Sequence, residues 1–189
     1  MMTRIMRSVA TAAAVAFAVT VPTGQARADM KTPVIAVVDV QYILHESSAG
    51  KGIENEFKRQ RESLSKELSG REERLRQGEQ ELARQRSSLS EDAFGKKRRD
   101  FEKQVMDFQR EAQGRQKAID QGVNEAGRTL QGALLEVVAA MAEESGVNLV
   151  LTKQQVVIVE KTMEITKEAL ERLNRKMPSV AVKIPSSRN

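Results

Sequence analysis

The sequence contains no cysteine and no tryptophan, and only 3 % of its 189 residues are aromatic. Without cysteine there can be no disulfide framework and no thiolate chemistry. The single histidine, His45, has no second histidine or cysteine with which to form a zinc site, so we expect a packed or surface residue. With 30 % charged residues and so few aromatics, the chain is suited to one domain with a modest core.

Catalytic motifs are also missing from the sequence. Asp39 follows an apolar run, but no acid or base partner is visible, so we interpret it as the cap of a short helix over Val40–Glu46. Two glycines flank Lys51, yet the spacing of a phosphate-binding loop is not met. We therefore predict that the protein is not an enzyme and uses no metal or cofactor.

The first 28 residues have the pattern of a signal peptide. Arg4 and Arg7 precede an apolar run that ends before Pro22, and Ala26-Arg27-Ala28 places small residues at the two positions that a signal peptidase recognises. The run is shorter than the roughly 20 apolar residues that a membrane span needs. We predict cleavage before Asp29 and export of the remaining chain.

Cleavage changes the charge balance. Arg4, Arg7 and Arg27 would leave with the signal peptide, so the 31 basic residues fall to 28 against 26 acidic ones, and the net charge falls from +5 to +2. A nucleic-acid partner that depends on net charge alone loses most of its support, and we predict none.

The stretch from Lys51 to Glu144 contains no proline, is rich in Glu, Lys, Arg and Gln, and is interrupted at Ser87–Ser90. Apolar residues recur at heptad spacing on both sides of the interruption, as in helices that pack along a narrow seam. The seam residues are Phe57, Leu64, Leu68, Leu75, Leu82 and Leu89 on the ascending side and Phe101, Val105, Phe108, Ala112 and Ile119 on the descending side.

A fold at residues 89 and 90 makes the two seams coincide. It pairs positions whose numbers sum to about 179, so that Leu75 faces Val105 and Leu68 faces Phe108. Ser90 is the expected N-cap of the descending helix. We predict a helical-hairpin arm over residues 51–128, with its tip near residues 87–90.

The remaining segments predict a small body, formed by residues 29–50 and 129–177. Residues 34–38 are an apolar strand, residues 147–152 and 156–159 are two strands joined by a hairpin or tight bend, and Thr166 caps a helix over residues 167–175. From Leu130 the descending helix is apolar nearly all round, so its root must be buried.

The predicted core and oligomer contacts are Val37, Val38, Leu134, Val138, Leu149, Val150 and Leu151. Three short strands cannot cover that root, so we expect another copy of the chain beside it; residues 178–189 are expected to be disordered.

Two features of the arm leave alternatives open. Glycines inside the predicted helices indicate either a helix that tolerates drift or an arm built to bend; they are Gly70, Gly78, Gly95, Gly114, Gly122, Gly127 and Gly132. Lys96, Lys97, Arg98 and Arg99 lie just past the tip. They are either a solvated helix start or a contact for anionic lipid head groups or acidic protein segments.

In their order along the chain, several segments resemble the Skp/OmpH family of periplasmic chaperones. They are the strand at residues 34–39, the joint at residues 48–51 with Ile53, Glu56 and Phe57, the tip at residues 89–91, residues 148–151 and residues 164–170. The resemblance implies an α+β, mainly α, fold: a homotrimer with a small β body and three helical arms. It also implies a cavity in which unfolded outer-membrane β-barrel proteins are held without ATP. The alternative is a structural coiled-coil spacer of the cell envelope, which the intrahelical glycines disfavour.

Overall fold

A computed structural model describes residues 32–185 of the chain, and its compact unit begins at Pro33. The predicted signal peptide, with its cleavage site, lies outside the described residues. The elements are, in chain order, β1 (Ile35–Val38), α1 (Val40–Glu46), α2 (Ser48–Gln85), α3 (Glu91–Ser145), β2 (Leu149–Thr152), two 3₁₀ turns (Lys153–Gln155 and Lys161–Met163) and α4 (Thr166–Lys176). Among these described residues, no helix is long and apolar enough to cross a membrane.

The ascending arm helix α2 begins three residues earlier than the predicted boundary at Lys51. The Ser47 hydroxyl accepts a hydrogen bond from the Gly50 amide at 3.1 Å and so caps the helix. Glycine is required at position 50, because a Cβ there would lie 1.8 Å from the carbonyl oxygen of Leu44. The predicted joint is therefore a one-residue break between α1 and α2.

The tip of the hairpin has the predicted form. Helix α2 ends at Gln85, whose carbonyl accepts hydrogen bonds from the amides of Ser88 and Leu89. The Ser90 hydroxyl accepts a hydrogen bond from the Ala93 amide at 3.4 Å and caps α3, which begins at Glu91. At its other end, α3 closes on Gly146 in the left-handed conformation with φ 67°.

The sheet differs from the prediction. Strands β1 and β2 pair in parallel, with Ile35 opposite Leu149 and Val38 opposite Thr152. The predicted hairpin between residues 147–152 and 156–159 is wrong, because residues 156–159 form no strand and follow a 3₁₀ turn. The free side of β1 is taken instead by residues 164–165, where the Ile165 amide donates to the Val37 carbonyl at 2.9 Å.

Of the two caps predicted for the short helices, one is present and one is not. Asp39 caps α1 as predicted, since its carboxylate accepts a hydrogen bond from the Tyr42 amide at 3.0 Å. Thr166 does not cap α4, because Ile165 holds the N-cap position without a side-chain bond. The Thr166 hydroxyl accepts instead from the Asp39 amide at 2.9 Å, and so ties the start of α4 to the end of β1.

The core lies where α1, α4 and the two ends of the hairpin meet. Ile43, Leu134 and Leu173 are fully buried there, with Leu130 beside them. Val37, Val38, Leu134 and Val138 are buried, whereas Val150 and Leu151 are half-buried and Leu149 is 42 % exposed. The role of these residues in oligomer contacts stays a prediction.

Burial continues along α3 well above the predicted body boundary at residue 129. Ile119 is only 2 % exposed, and Ala118, Gly122 and Ala126 are also buried. We use the name packed root for α3 from Ala118 to Ser145 and α2 from Ser48 to Leu64, and distal arm for the hairpin beyond Leu64 and before Ala118.

The prediction of a disordered tail from residue 178 is wrong for residues 178–185. They run as an extended segment in which Val180 and Val182 pack against the core. The physical reason is that their apolar side chains find a buried partner surface on the packed root. Residues 186–189 lie outside the described part of the chain.

Candidate functional site

The distal arm presents a thin apolar seam to solvent. Leu68, Leu75, Leu82, Val105 and Phe108 are each half-buried along it, because two helices alone can cover only one side of each residue. Leu64 and Ile119, which belong to the packed root, are buried, and Phe57, the seam residue of α2 nearest the body, is half-buried. Met106 stands outside the seam with 56 % of its surface exposed. Apolar surface is thus available along the arm without any closed pocket for a small ligand.

Charged side chains complete the seam where leucine is absent. The Arg71 guanidinium lies 5.5 Å from the centroid of the Phe108 ring and pairs with Glu111 across the hairpin. Arg115 of α3 reaches back to Glu67 of α2, at 3.4 Å. These cross-links connect positions close to the predicted pairing, so the register of the hairpin is as the sequence indicates.

Gly78 occupies a seam position for a steric reason. A Cβ at this residue would lie 3.3 Å from the Phe101 ring, so the glycine makes room for an aromatic side chain on the facing helix. Phe101 lies opposite Gly78 at the predicted pairing, and the fit could have been found from that register. Gly70 and Gly95 meet only the ends of arginine side chains.

A shallow groove of about 330 Å³ lies beside this part of the seam. Apolar and charged side chains alternate along it: Arg71, Arg74, Leu75, Gln104, Asp107 and Phe108. Such a surface offers weak apolar contacts next to charges of both signs, and it has no geometry that would select one ligand.

A larger groove of about 840 Å³ lies at the packed root, between α1, α2 and α3. Its apolar lining includes Ile53, Phe57 and Val123, and His45 lies at its edge. The nearby Lys51 ammonium donates a hydrogen bond to Glu46 at 2.7 Å, which holds the pKa of that carboxyl below its usual value and raises the pKa of Lys51. His45 contacts Glu46 and Glu54, so it is a surface residue among carboxylates.

The body exposes apolar residues at the segment that was predicted to be a third strand. Val157 is 99 % exposed and Ile158 is 90 % exposed, and Leu149 and Val34 are partly exposed as well. Adjacent fully exposed β-branched residues are unusual on the surface of a monomer and mark a contact surface.

The four cations past the tip are all exposed. Lys97 donates to the Gln85 side chain at 2.5 Å, and Arg98 lies 3.5 Å from Glu102. Lys96 and Arg99 extend the positive charge of the same helix start. The cluster remains a candidate anionic contact, and nothing in its geometry identifies a ligand.

The part of the chain that the structure describes contains no group of histidine and acidic side chains able to hold a metal ion. The family model described as "Outer membrane protein (OmpH-like)" matches residues 34–173, which include both strands, the whole hairpin and most of α4. The chain belongs to the OmpH-like family.

Comparison with solved structures supports the fold of this OmpH-like chain. A crystal structure of a proposed outer membrane chaperone (OmpH-like) from Caulobacter crescentus CB15 is 17 % identical and superposes with a TM-score of 0.75. The match covers 85 % of this chain and 94 % of the Caulobacter chain. Among curated proteins, no relative matches the sequence.

Sequence reasoning missed two contacts that shape the OmpH-like body. The Asn174 side chain accepts a hydrogen bond from the Ser48 amide at 2.8 Å, which fixes α4 against the start of the arm. Gly122 receives the backbone of Lys183. The second contact has a sequence signal, because Val180, Val182 and Ile184 alternate with other residues as in an extended segment.

Proposed function

We propose that the protein is an ATP-independent holding chaperone of the periplasm. It binds unfolded outer-membrane β-barrel proteins between helical arms, prevents their aggregation and assists outer-membrane assembly. The observation that carries this proposal is the distal arm, where half-buried apolar residues and charges of both signs alternate over most of the hairpin. Many weak contacts of this kind suit clients that differ in sequence and lack a folded surface.

The proposed assembly is a homotrimer held by the body. Val157 and Ile158 supply exposed apolar surface next to the two-stranded sheet, and the outer edge of β2 is open to a further strand among the described residues. A second copy of the chain would cover both features. Native mass spectrometry of the mature protein tests the assembly, since a monomer or a long filament would contradict a trimer. The same spectrum tests processing, because the mature chain should begin at Asp29.

The experiment for the chaperone role removes the walls without removing the body. Deleting residues 75–88 together with residues 90–103, with a new short turn, takes two heptads from each helix and leaves the seam in register. We expect this variant to assemble like the full chain but to lose protection of a large unfolded β-barrel, because the enclosing surface is gone.

The measurement is light scattering of a urea-denatured outer-membrane protein after dilution, without ATP. Native mass and helical circular dichroism provide the control that the shortened chain is folded and assembled. Full suppression of aggregation by the shortened variant would contradict the arm model and assign binding to the body. The alternative function, a structural spacer, has less support because Gly78 and Arg71 interrupt the regular seam that a rigid coiled coil needs.

A further inference from the structure

The extended segment from Ser179 to Pro185 lies along the packed root in a regular way. Its side chains alternate: Val180, Val182 and Ile184 are half-buried, and the residues between them are exposed. Val180 and Val182 pack against the cluster that contains Ala126 and Leu130 of α3. The matched family region ends at residue 173, so this segment lies beyond it.

The segment approaches the backbone of α3 closely at Gly122. A Cβ at that position would lie 2.5 Å from the carbonyl oxygen of Lys183 and 3.0 Å from its carbonyl carbon. Both neighbours are backbone atoms, so neither can turn away as a flexible side chain would. By contrast, a Cβ at Gly127 or Gly132 of the same helix meets nothing within 4 Å. Of these three glycines, Gly122 alone is required by a contact with the segment.

Gly122 has small residues one helical turn away on either side of it along α3. Ala118, Gly122 and Ala126 are spaced by four residues and therefore share one face of the helix. Ala118 and Ala126 are 5 % and 3 % exposed. Small side chains allow an extended backbone to lie close to the helix axis. The backbone of Lys183 lies in this way against Gly122.

The length of the segment matches the distance that it spans. Lys176, at the end of α4, is held to Glu136 of α3 by an ion pair of 2.6 Å. From Glu136 to Gly122 the helix rises about 21 Å at about 1.5 Å per residue. The seven residues from Lys176 to Lys183 reach about 23 Å when fully extended. The extended segment is therefore long enough to reach Gly122 from the level of Glu136.

We propose that residues 178–185 are a strap that docks in the small-residue groove of α3 and fixes the level at which the arm leaves the body. Between Ala118 and the body the hairpin is held by the strap and the core. Beyond Ala118 the two helices are joined by the thin seam and by the polar contacts across it. The docking of the strap is supported by its contacts with α3 and does not depend on the chaperone role. Any consequence for client capture rests on the chaperone role proposed above.

A double-mutant cycle tests the docking. One change is Gly122→Ala, and the other is truncation after Lys176 in the mature chain. In the full chain, Gly122→Ala should lower the hydrogen-exchange protection of amides 116–126 by about tenfold or more, because the new Cβ displaces the strap. In the truncated chain the same substitution should raise the urea midpoint, because alanine favours helix over glycine.

Gly127→Ala is the matched control and should raise the urea midpoint in both chains. The proposal is overturned if Gly122→Ala has the same effect on hydrogen-exchange protection and on the urea midpoint in the full chain and in the truncated chain. If the truncated chain does not fold, replacement of Val180 and Val182 by Ser in the full chain takes its place in the cycle, with the same two expected results.

A peptide of residues 177–185 provides a test in trans. We expect it to bind the truncated protein, measured by fluorescence anisotropy, and not the full chain, whose groove is filled. A control peptide with Ser at positions 180, 182 and 184 should bind neither. Absence of binding to the folded truncated protein would contradict the groove as a docking site.

Light scattering with an unfolded β-barrel separates the strap from the chaperone role. If the full chain suppresses aggregation and the Gly122→Ala variant differs in exchange only, the strap is structural and does not affect capture. If the full chain does not suppress aggregation, the proposed function fails while the exchange result still decides the strap.

Discussion

The packed root and the distal arm are parts of the same two helices, yet they differ in what covers them. In the root, α1, α4 and the strap surround α3, and Leu134 is fully buried. In the distal arm each helix has only its partner, and Leu75 stays half-buried. A leucine at the same helical period therefore contributes more to the free energy of unfolding in the packed root than in the distal arm.

The difference teaches where rigidity and adaptability are placed. A root with a dense core resists local opening, because every opening exposes apolar area. The arm has little such area to lose, and its charges are solvated. This contrast is what a chaperone with a fixed frame and adaptable walls requires, and each of the following predictions can break or sharpen it.

The largest expected effect is the removal of a root leucine. Leu134→Ala should lower the free energy of unfolding by about 2 to 5 kcal/mol, because the side chain is fully enclosed and leaves a cavity. Leu75→Ala should cost about 1 kcal/mol, because its side chain is only partly buried and already contacts water. Urea unfolding at one protein concentration measures both, and a larger cost for Leu75→Ala would contradict the division into root and arm.

The second prediction concerns the break between α1 and α2. Gly50→Ala should cost about 1 to 3 kcal/mol, because the new Cβ would overlap the Leu44 carbonyl oxygen and force the backbone to shift. Gly52→Ala is the matched control, since a Cβ there meets nothing within 4 Å. It should stabilise α2 by up to about 1 kcal/mol, through helix propensity alone. Equal urea midpoints for the two variants would show that the junction is looser than the root to which it belongs.

The sequence predicts much of the arm and less of the body. The heptad seam, the Ser90 cap and the cross-hairpin register depend on local periodicity, which a single chain displays directly. The apolar descending root was identified in the same way. These features need no knowledge of distant segments.

The body depends on pairings between distant segments, and there the sequence was less informative. Residues 156–159 have the composition of a strand, but β2 ends in a 3₁₀ turn and residues 164–165 take the place beside β1. The tail ends in polar residues, which favours a prediction of disorder over the extended segment that contains Val180 and Val182. In both cases the fold depends on which segment reaches the free edge of β1 or the surface of α3.

A smaller effect is expected at low pH from two ion pairs, one between segments of the body and one within the root part of α2. Lys153 donates a hydrogen bond to Glu164 at 2.7 Å in the body, and this contact lowers the pKa of Glu164 below 4.5 and raises that of Lys153. Lys58 likewise lowers the pKa of Glu54 in α2. A lowered carboxyl pKa stabilises the fold above about pH 4.5, and that contribution is lost as the pH falls through the folded-state pKa.

The urea midpoint at pH 7 and pH 3 measures this loss. Lys153→Met should reduce the pH dependence more than Lys58→Met, because the first pair joins two segments of the body and the second lies within one turn of a helix. The opposite order would show that the contact within α2, rather than the one between segments of the body, carries the pH dependence.

The smallest expected effect is at the arm tip. Lys96, Lys97, Arg98 and Arg99 changed together to Ser should weaken capture of an unfolded β-barrel at low salt only. Exposed charges act over roughly 30 Å at 0.01 M salt and about 10 Å at 0.1 M, so physiological salt removes most of their attraction. Stability should not change, because all four side chains are exposed. The matched control removes four exposed cations far from the tip, Lys66, Lys117, Arg128 and Arg175. Capture is measured by light scattering across a salt series.

A deficit of the tip variant alone, confined to low salt, assigns a local anionic contact to the tip. Equal deficits in the two variants would assign the effect to net charge, and a tip deficit that persists at 0.15 M salt would contradict a screened surface contact and make the tip a specific site.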